Sequence, residues 1–227
     1  DYAKKRFTDT IVQYLLNNKY AGANIEFDDI SFEDLKAYAD FIQIISESLH
    51  RHDLRLFVTM SKISDVFPSI CSYADRVIML TQDRYHTFHS PSAICPIEDT
   101  RCTLEKAVDM CGTGKLLLSL PCYGCNWVLP YHGNAARIVY LGEIPSLAYR
   151  HFADIRYDDK VQAPHFSYYD SAGTEHIVWF HDPRSISARL KLVEEYNLGG
   201  VSLGTIAPFY RPGWITLGDM YKPEKTL

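Results

Sequence analysis

Between residues 22 and 28 the sequence Gly22-Ala-Asn-Ile-Glu-Phe-Asp28 sets Asn24, Glu26 and Asp28 at alternate positions. In an extended strand these three side chains share one face, while Ala23, Ile25 and Phe27 share the other. Two carboxylates and an amide on one face can orient a polar substrate and move a proton, which is the work of general acid–base catalysis. The same groups can instead fill a polar interior by bonding to one another and to water. Cys122-Tyr-Gly-Cys125 is a second candidate, with the CxxC spacing of a redox pair or half a zinc site. No second CxxC, HxxxH or thioredoxin-like context accompanies it, so both readings lack their other half. The six cysteines read as disulfides of an exported protein, with buried free thiols as the alternative. The nine histidines form no HxH or HExxH cluster, so no metal and no cofactor is expected, and Tyr85, His86 and His89 read as a solvated loop.

A regular scaffold positions these groups. Apolar residues from Phe7 to Leu16 recur near a 3.6 period and predict a helix over residues 2–18. Ser31-Phe-Glu-Asp34 has the form of a capping box and opens an amphipathic helix running to His50. Strands are predicted over 22–27, 54–60, 76–80, 115–120 and 201–204, with helices over 64–72, 104–110 and 185–196. Strands separated by helices imply parallel pairing, in a barrel or an open doubly wound sheet. No GxGxxG follows the first strand, which removes the dinucleotide-binding version. Residues 155–157, 165–169 and 175–180 read as short strands, and Asp170-Ser-Ala-Gly173 between the last two is a hairpin signal.

Composition sets the outer limits. Lys+Arg 23 against Asp+Glu 28 leaves a net charge of −5, which argues against a nucleic-acid-binding role. With 47% hydrophobic residues the chain supports a packed core. No apolar run approaches the ~20 residues that span a bilayer, and Asp1-Tyr-Ala-Lys-Lys-Arg6 is not a signal peptide.

Gly22–Asp28 resembles the fourth-strand signature, DxxDxDxE, of glycoside hydrolase family 18, the chitinase-like barrels. Leu116–Trp127 is similar to the seventh-strand LPxYGxxW of that family, and Val178–Ser185 followed by Leu198–Val201 resembles its insertion exit and eighth strand. Trp127–Pro130 together with Ala163–Phe166 resembles the spore-cortex and spore-germination branch, which acts on peptidoglycan. The resemblance implies a (β/α)8 TIM-type barrel of which this chain carries strands four to eight. It divides the chain into barrel elements over 1–149, an inserted α+β lobe over 150–182, and the last helix, strand eight and tail over 183–227. Strands one to three are then expected from an upstream segment or a second chain.

In the family a Glu ends the strand-four motif and protonates the leaving oxygen, while the carboxylate two residues earlier orients the N-acetyl group that attacks the anomeric carbon. By motif, Asp28 stands where that Glu belongs, Glu26 where the Asp belongs, and Asn24 in the slot before. Gln82 replaces a Tyr that supports the acetamide, Asp83 is kept, and Gly204 falls where a Trp floors the sugar. Tyr123 and Trp127 fall where the family lines its groove, and Trp179 reads as core. The implied function is a secreted, cell-wall- or spore-associated protein that binds N-acetylated glycans and hydrolyses them weakly or not at all. The alternative is a slow substrate-assisted hydrolase with Asp28 as acid. On this barrel Cys71 and Cys111 end neighbouring helices and are expected to pair, with Cys95–Cys102 and Cys122–Cys125 as the other bridges.

Overall fold

The computed structural model describes residues 2–27, 30–81, 86–204 and 210–222. It divides into two compact units, the first comprising residues 1–80, 103–118 and 196–200, and the second 81–102, 119–195 and 201–227.

The first unit is built on parallel strands. Helix α1 (Tyr2–Asn17) leads into β1 (Gly22–Glu26), and a 3-10 turn over Phe32–Asp34 opens α2 (Leu35–His50). The Ser31 cap forms as expected, with the Asp34 amide donating to Ser31 Oγ at 3.2 Å, and the return bond of the box goes to the hydroxyl, Ser31 Oγ donating to Asp34 Oδ2 at 2.7 Å. Along α2, Tyr38, Phe41, Ile42, Ile45 and Leu49 recur at helical steps and are buried, the last three completely. Each such side chain contributes about 1.5–3 kcal/mol on burial. β2 (Arg55–Met60), α3 (Phe67–Tyr73), β3 (Arg76–Met79), α4 (Ile97–Cys111) and β4 (Leu116–Leu120) follow. With β10 (Gly200–Leu203), numbered after the strands of the second unit, they form a five-stranded sheet of order β1-β2-β3-β4-β10. Its register places Ile25 beside Val58 and Glu26 beside Thr59, then Val58 beside Val77 and Thr59 beside Ile78. One face is therefore a run of buried Ile25, Val58 and Val77, while the polar residues of β1 occupy the other. Gly22 lets the first two strands meet, since a Cβ there would lie 2.1 Å from the Arg55 carbonyl oxygen.

The second unit holds an antiparallel sheet of order β6-β5-β9-β8-β7, from β5 (Tyr123–Leu129), β6 (Arg137–Tyr140), β7 (Arg156–Asp158), β8 (Ala163–Tyr169) and β9 (Glu175–Trp179). The predicted hairpin joins β8 to β9: Asp170 Oδ1 accepts from the Ala172 and Thr174 amides, and Gly173 takes φ +78°. On one face of the sheet Val139, Phe166, Tyr168, Val178 and Phe180 pack with Ile144 and Ala148 of α5 (Ile144–Arg150). On the other, Cys125 and Trp127 pack with Ile94, Cys95 and Ala136. α6 (Pro183–Glu195) and α7 (Arg211–Met220) complete the unit. The sheet reaches back across the 149/150 boundary expected from the sequence, because β5 pairs directly with β9. Gly124 of β5 lets β9 approach, as a Cβ there would lie 2.9 Å from Phe180 Cβ and 3.0 Å from the Trp179 carbonyl oxygen.

The cysteines follow the expectation in one pair. Cys71 and Cys111, at the ends of α3 and α4, are bridged with their Cα atoms 5.4 Å apart. The other four are free thiols, which corrects the Cys95–Cys102 and Cys122–Cys125 pairings. Cys95 is buried, whereas Cys102 faces solvent from α4, a helix that starts at Ile97 rather than near Leu104. Cys125 lies within extended β5, and three residues of strand separate positions by about 10 Å, beyond the roughly 7 Å a disulfide allows.

Candidate functional site

β1 presents Asn24 and Glu26 on the face opposite buried Ile25, both exposed. Thr59, brought opposite Glu26 by the parallel register, donates its hydroxyl to Asn24 Oδ1 at 3.0 Å. The bond holds the amide with its NH2 group as the remaining donor. Sequence reading missed Thr59, which no motif marks; its only signal is that it shares parity with Phe57 on β2. Glu26 borders a hollow of about 670 Å3 shared with Lys4, Phe27 and Tyr38. Phe27 stacks on Phe41 at 5.7 Å and leans on Tyr38 at 5.6 Å, so an aromatic wall continues β1. The Glu26 carboxylate thus borders an aromatic wall, while Asn24, bonded to Thr59 on the polar face of the sheet, keeps an amide donor that can orient a polar ligand. Asp28, Gln82 and Asp83 lie outside the described residues.

The second unit holds the two aromatic candidates. Tyr123, half-buried, packs against the cluster around Cys95 and Cys125. Trp127 is only 1% exposed, its Nε1 donates to the His89 carbonyl at 2.8 Å, and its ring meets His86 edge-on at 5.5 Å. No face of the indole is open to a sugar, so Trp127 corrects from groove lining to anchor of the 86–95 segment. His86 corrects with it: it is buried and its Nε2 donates to the Ser92 carbonyl at 3.1 Å, rather than sitting in a solvated loop. Trp179 is half-buried and stacks on His165 at 4.4 Å.

Two further buried groups hold that segment, and neither is marked by sequence. Arg189 on α6 donates to the carbonyls of Ser185 at 3.1 Å, Gln162 at 3.3 Å and Cys95. His181 donates Nε2–H to the Ile94 carbonyl at 2.8 Å, and its Nδ1 is buried without a partner. Burial, with the Arg189 charge nearby, pushes the His181 imidazole well below the ordinary histidine range. Burial likewise pushes the Cys95 and Cys125 thiols up to about 12, so both are neutral packing groups rather than nucleophiles.

A pH dependence follows. Unfolded His181 takes up a proton below about pH 6.5, whereas the folded state cannot until much lower pH, so the contribution is complete above the unfolded value and lost as pH falls. The expected loss is about 1.4 kcal/mol per pH unit below 6.5. His181→Gln keeps a donor for the Ile94 carbonyl and removes the titration. Urea unfolding at pH 7.5, 6 and 5 should show a shallower acid-side decline in the variant; superimposable declines would discard this assignment.

Residues 1–205 match the family described as Glycosyl hydrolases family 18, and the chain belongs to that family. Over 235 residues it is 27% identical to the cortical fragment-lytic enzyme of Bacillus subtilis (strain 168), covering 98% of this chain and 54% of that protein. Over 212 residues it is 27% identical to the uncharacterized glycosylase YvbX of the same organism, covering 88% and 61%. The solved spore cortex-lytic enzyme SleL of Bacillus megaterium QM B1551 superposes with a TM-score of 0.92 at 27% identity, over 99% of this chain and 54% of that one. The chain thus spans little more than half the length of these relatives. Its fold is the chitinase-like family 18 α/β fold, seen in the described residues as the open parallel sheet and the antiparallel one.

Proposed function

We propose that this chain binds N-acetylated glycan strands of the peptidoglycan or chitin type and hydrolyses them weakly or not at all. The observation that carries this reading is the order of polar residues along β1 and beyond it. The longer carboxylate, Glu26, stands one pleat before the position of the family's acid, and the shorter Asp28 occupies that position. Gln82 and Gly204, in place of a phenol and an indole, remove acetamide support and a stacking surface. Asn24, Glu26 and Thr59 retain the means to hold an acetamide, and by motif Asp83 and Tyr123 are assigned to glycan binding. The relatives' names support a cell-wall or spore location outside the cytoplasm. β1 has a strand partner on one side only among the described residues, and we assign the other side to barrel strands from an upstream segment or a second chain.

A second reading, slow substrate-assisted hydrolysis with Asp28 as acid, draws on the retention of both carboxylates. Turnover of chitooligosaccharides and spore-type peptidoglycan, with Asp28→Ala as control, separates the two. The expected result is saturable binding with rates near background in both proteins. Clear turnover that disappears in Asp28→Ala would make Asp28 the general acid and establish the second reading.

A further inference from the structure

The antiparallel unit carries exposed aromatic rings that its core does not use. At the end of α5 the Phe152 amide donates to the Tyr149 carbonyl at 3.2 Å and the Ala153 amide to the Ala148 carbonyl at 3.0 Å, closing the helix through a left-handed residue. That residue is Phe152, at φ +51°, where glycine is the usual occupant because a side chain is strained there. Its ring is 94% exposed, so the strain is not offset by burial. Tyr169, 62% exposed, is a second such ring.

Phe152 and Tyr169 border a cleft of about 470 Å3 whose walls include His151, Asp154, Arg156 and His165. The two histidines are held in place. His151 lies tilted against Tyr168 at 4.3 Å and donates Nδ1–H to the Tyr169 carbonyl at 3.0 Å, and His165 lies against Trp179. Burial above all, with Arg156 adding to it against the opposing pull of Asp158, lowers the pKa of His165 and favours the neutral ring. The Asp154 and Arg156 side chains are exposed and make no hydrogen bond or ion pair among the described residues. Exposed aromatic rings with charged groups beside them in one cleft suit a ligand that has both an apolar face and a rim of hydroxyls. A protein partner would favour a cleft centre depleted of charge.

We propose that this cleft is a second glycan site, which takes one N-acetylated pyranose ring of a polysaccharide strand against Phe152 and Tyr169 with Asp154 and Arg156 bonding its polar edge. It rests on the glycan-binding reading above. Phe152→Gly is an unusually clean probe, because glycine relieves the positive φ while removing the ring.

The test titrates the full 227-residue chain with tri-N-acetylchitotriose and follows backbone amide NMR shifts, with Phe152→Gly and Arg156→Gln alongside. Saturable shifts over residues 151–169 are expected, weakened roughly 3- to 10-fold in Phe152→Gly while its melting temperature holds or rises. Arg156→Gln, which leaves the backbone untouched, should weaken them as well. Shifts confined to β1 and unchanged in both variants would overturn the cleft and leave the proposed function standing. No shifts anywhere would overturn both. Unchanged sugar binding with self-association lost in Phe152→Gly would mark a protein contact and overturn the glycan assignment.

Discussion

Exchanging the two carboxylates of the β1 motif, by Glu26→Asp together with Asp28→Glu, is expected to raise turnover of chitooligosaccharides by about 10²-fold or more. An Asp side chain is one methylene shorter than Glu and withdraws its carboxyl by more than ~1 Å, a displacement that can itself cost on the order of 10²-fold. Proton delivery from a correctly placed acid contributes about 10² to 10⁴-fold. The double exchange keeps charge and composition constant, so stability is expected to change little and the rate carries the result. Glu26 is exposed at the end of its strand, which leaves room for the shorter side chain. Adding Gln82→Tyr should give a further gain of order 10²-fold if the phenol acts as an oxyanion-type donor. Gly204→Trp has space to begin, since a Cβ there meets nothing nearer than the Leu120 carbonyl oxygen at 3.7 Å. Initial rates of wild type, the exchange and the exchange with Gln82→Tyr form the measurement. An exchange variant as slow as wild type, with its binding retained, would show that carboxylate length is not what limits this protein.

Reduction of the Cys71–Cys111 bridge is expected to destabilise the chain by about 4 kcal/mol, from the loop-closure entropy of a 40-residue separation. The bridge joins α3 to the end of α4, so its loss frees the loop between them, which contains β3 and most of α4, in the unfolded ensemble without touching the β1 residues. Thermal unfolding of wild type with and without reductant, beside Cys71→Ser, gives the magnitude, and the reductant should have no effect on the variant. Thiol counting under denaturant is expected to find four free sulfhydryls. Six would remove the bridge, and two or fewer would restore one of the other pairings.

How much of this was legible beforehand differs sharply between the two units. In the first, local pattern carried nearly everything. The helical repeat of α2, the Ser31 cap and the alternation of β1 each rest on residues two to four positions apart, and those spacings survive folding unchanged. Family membership rested on the same short motifs. The sheet face of Asn24 and Glu26 followed from alternation alone, but Thr59 did not, because its bond to Asn24 joins positions 35 apart.

In the second unit the outcome depended on distant partners. β5 sits inside a motif that reads as a groove-lining loop, and only its pairing with β9 makes it a strand. Trp127 has the residue type of a sugar platform, yet the His89 carbonyl 38 positions away fixes its indole inside the core. Arg189 reads as an ordinary helix-surface charge until the Cys95 carbonyl, 94 positions away, is brought against it. The sequence by itself therefore determined which parallel strands form, which face of β1 is polar and which family the chain belongs to. Tertiary structure alone decided which aromatics are covered, which cysteines meet and which buried polar groups hold the 86–95 segment, because burial and pairing are set by groups that neighbour one another only after the chain has closed.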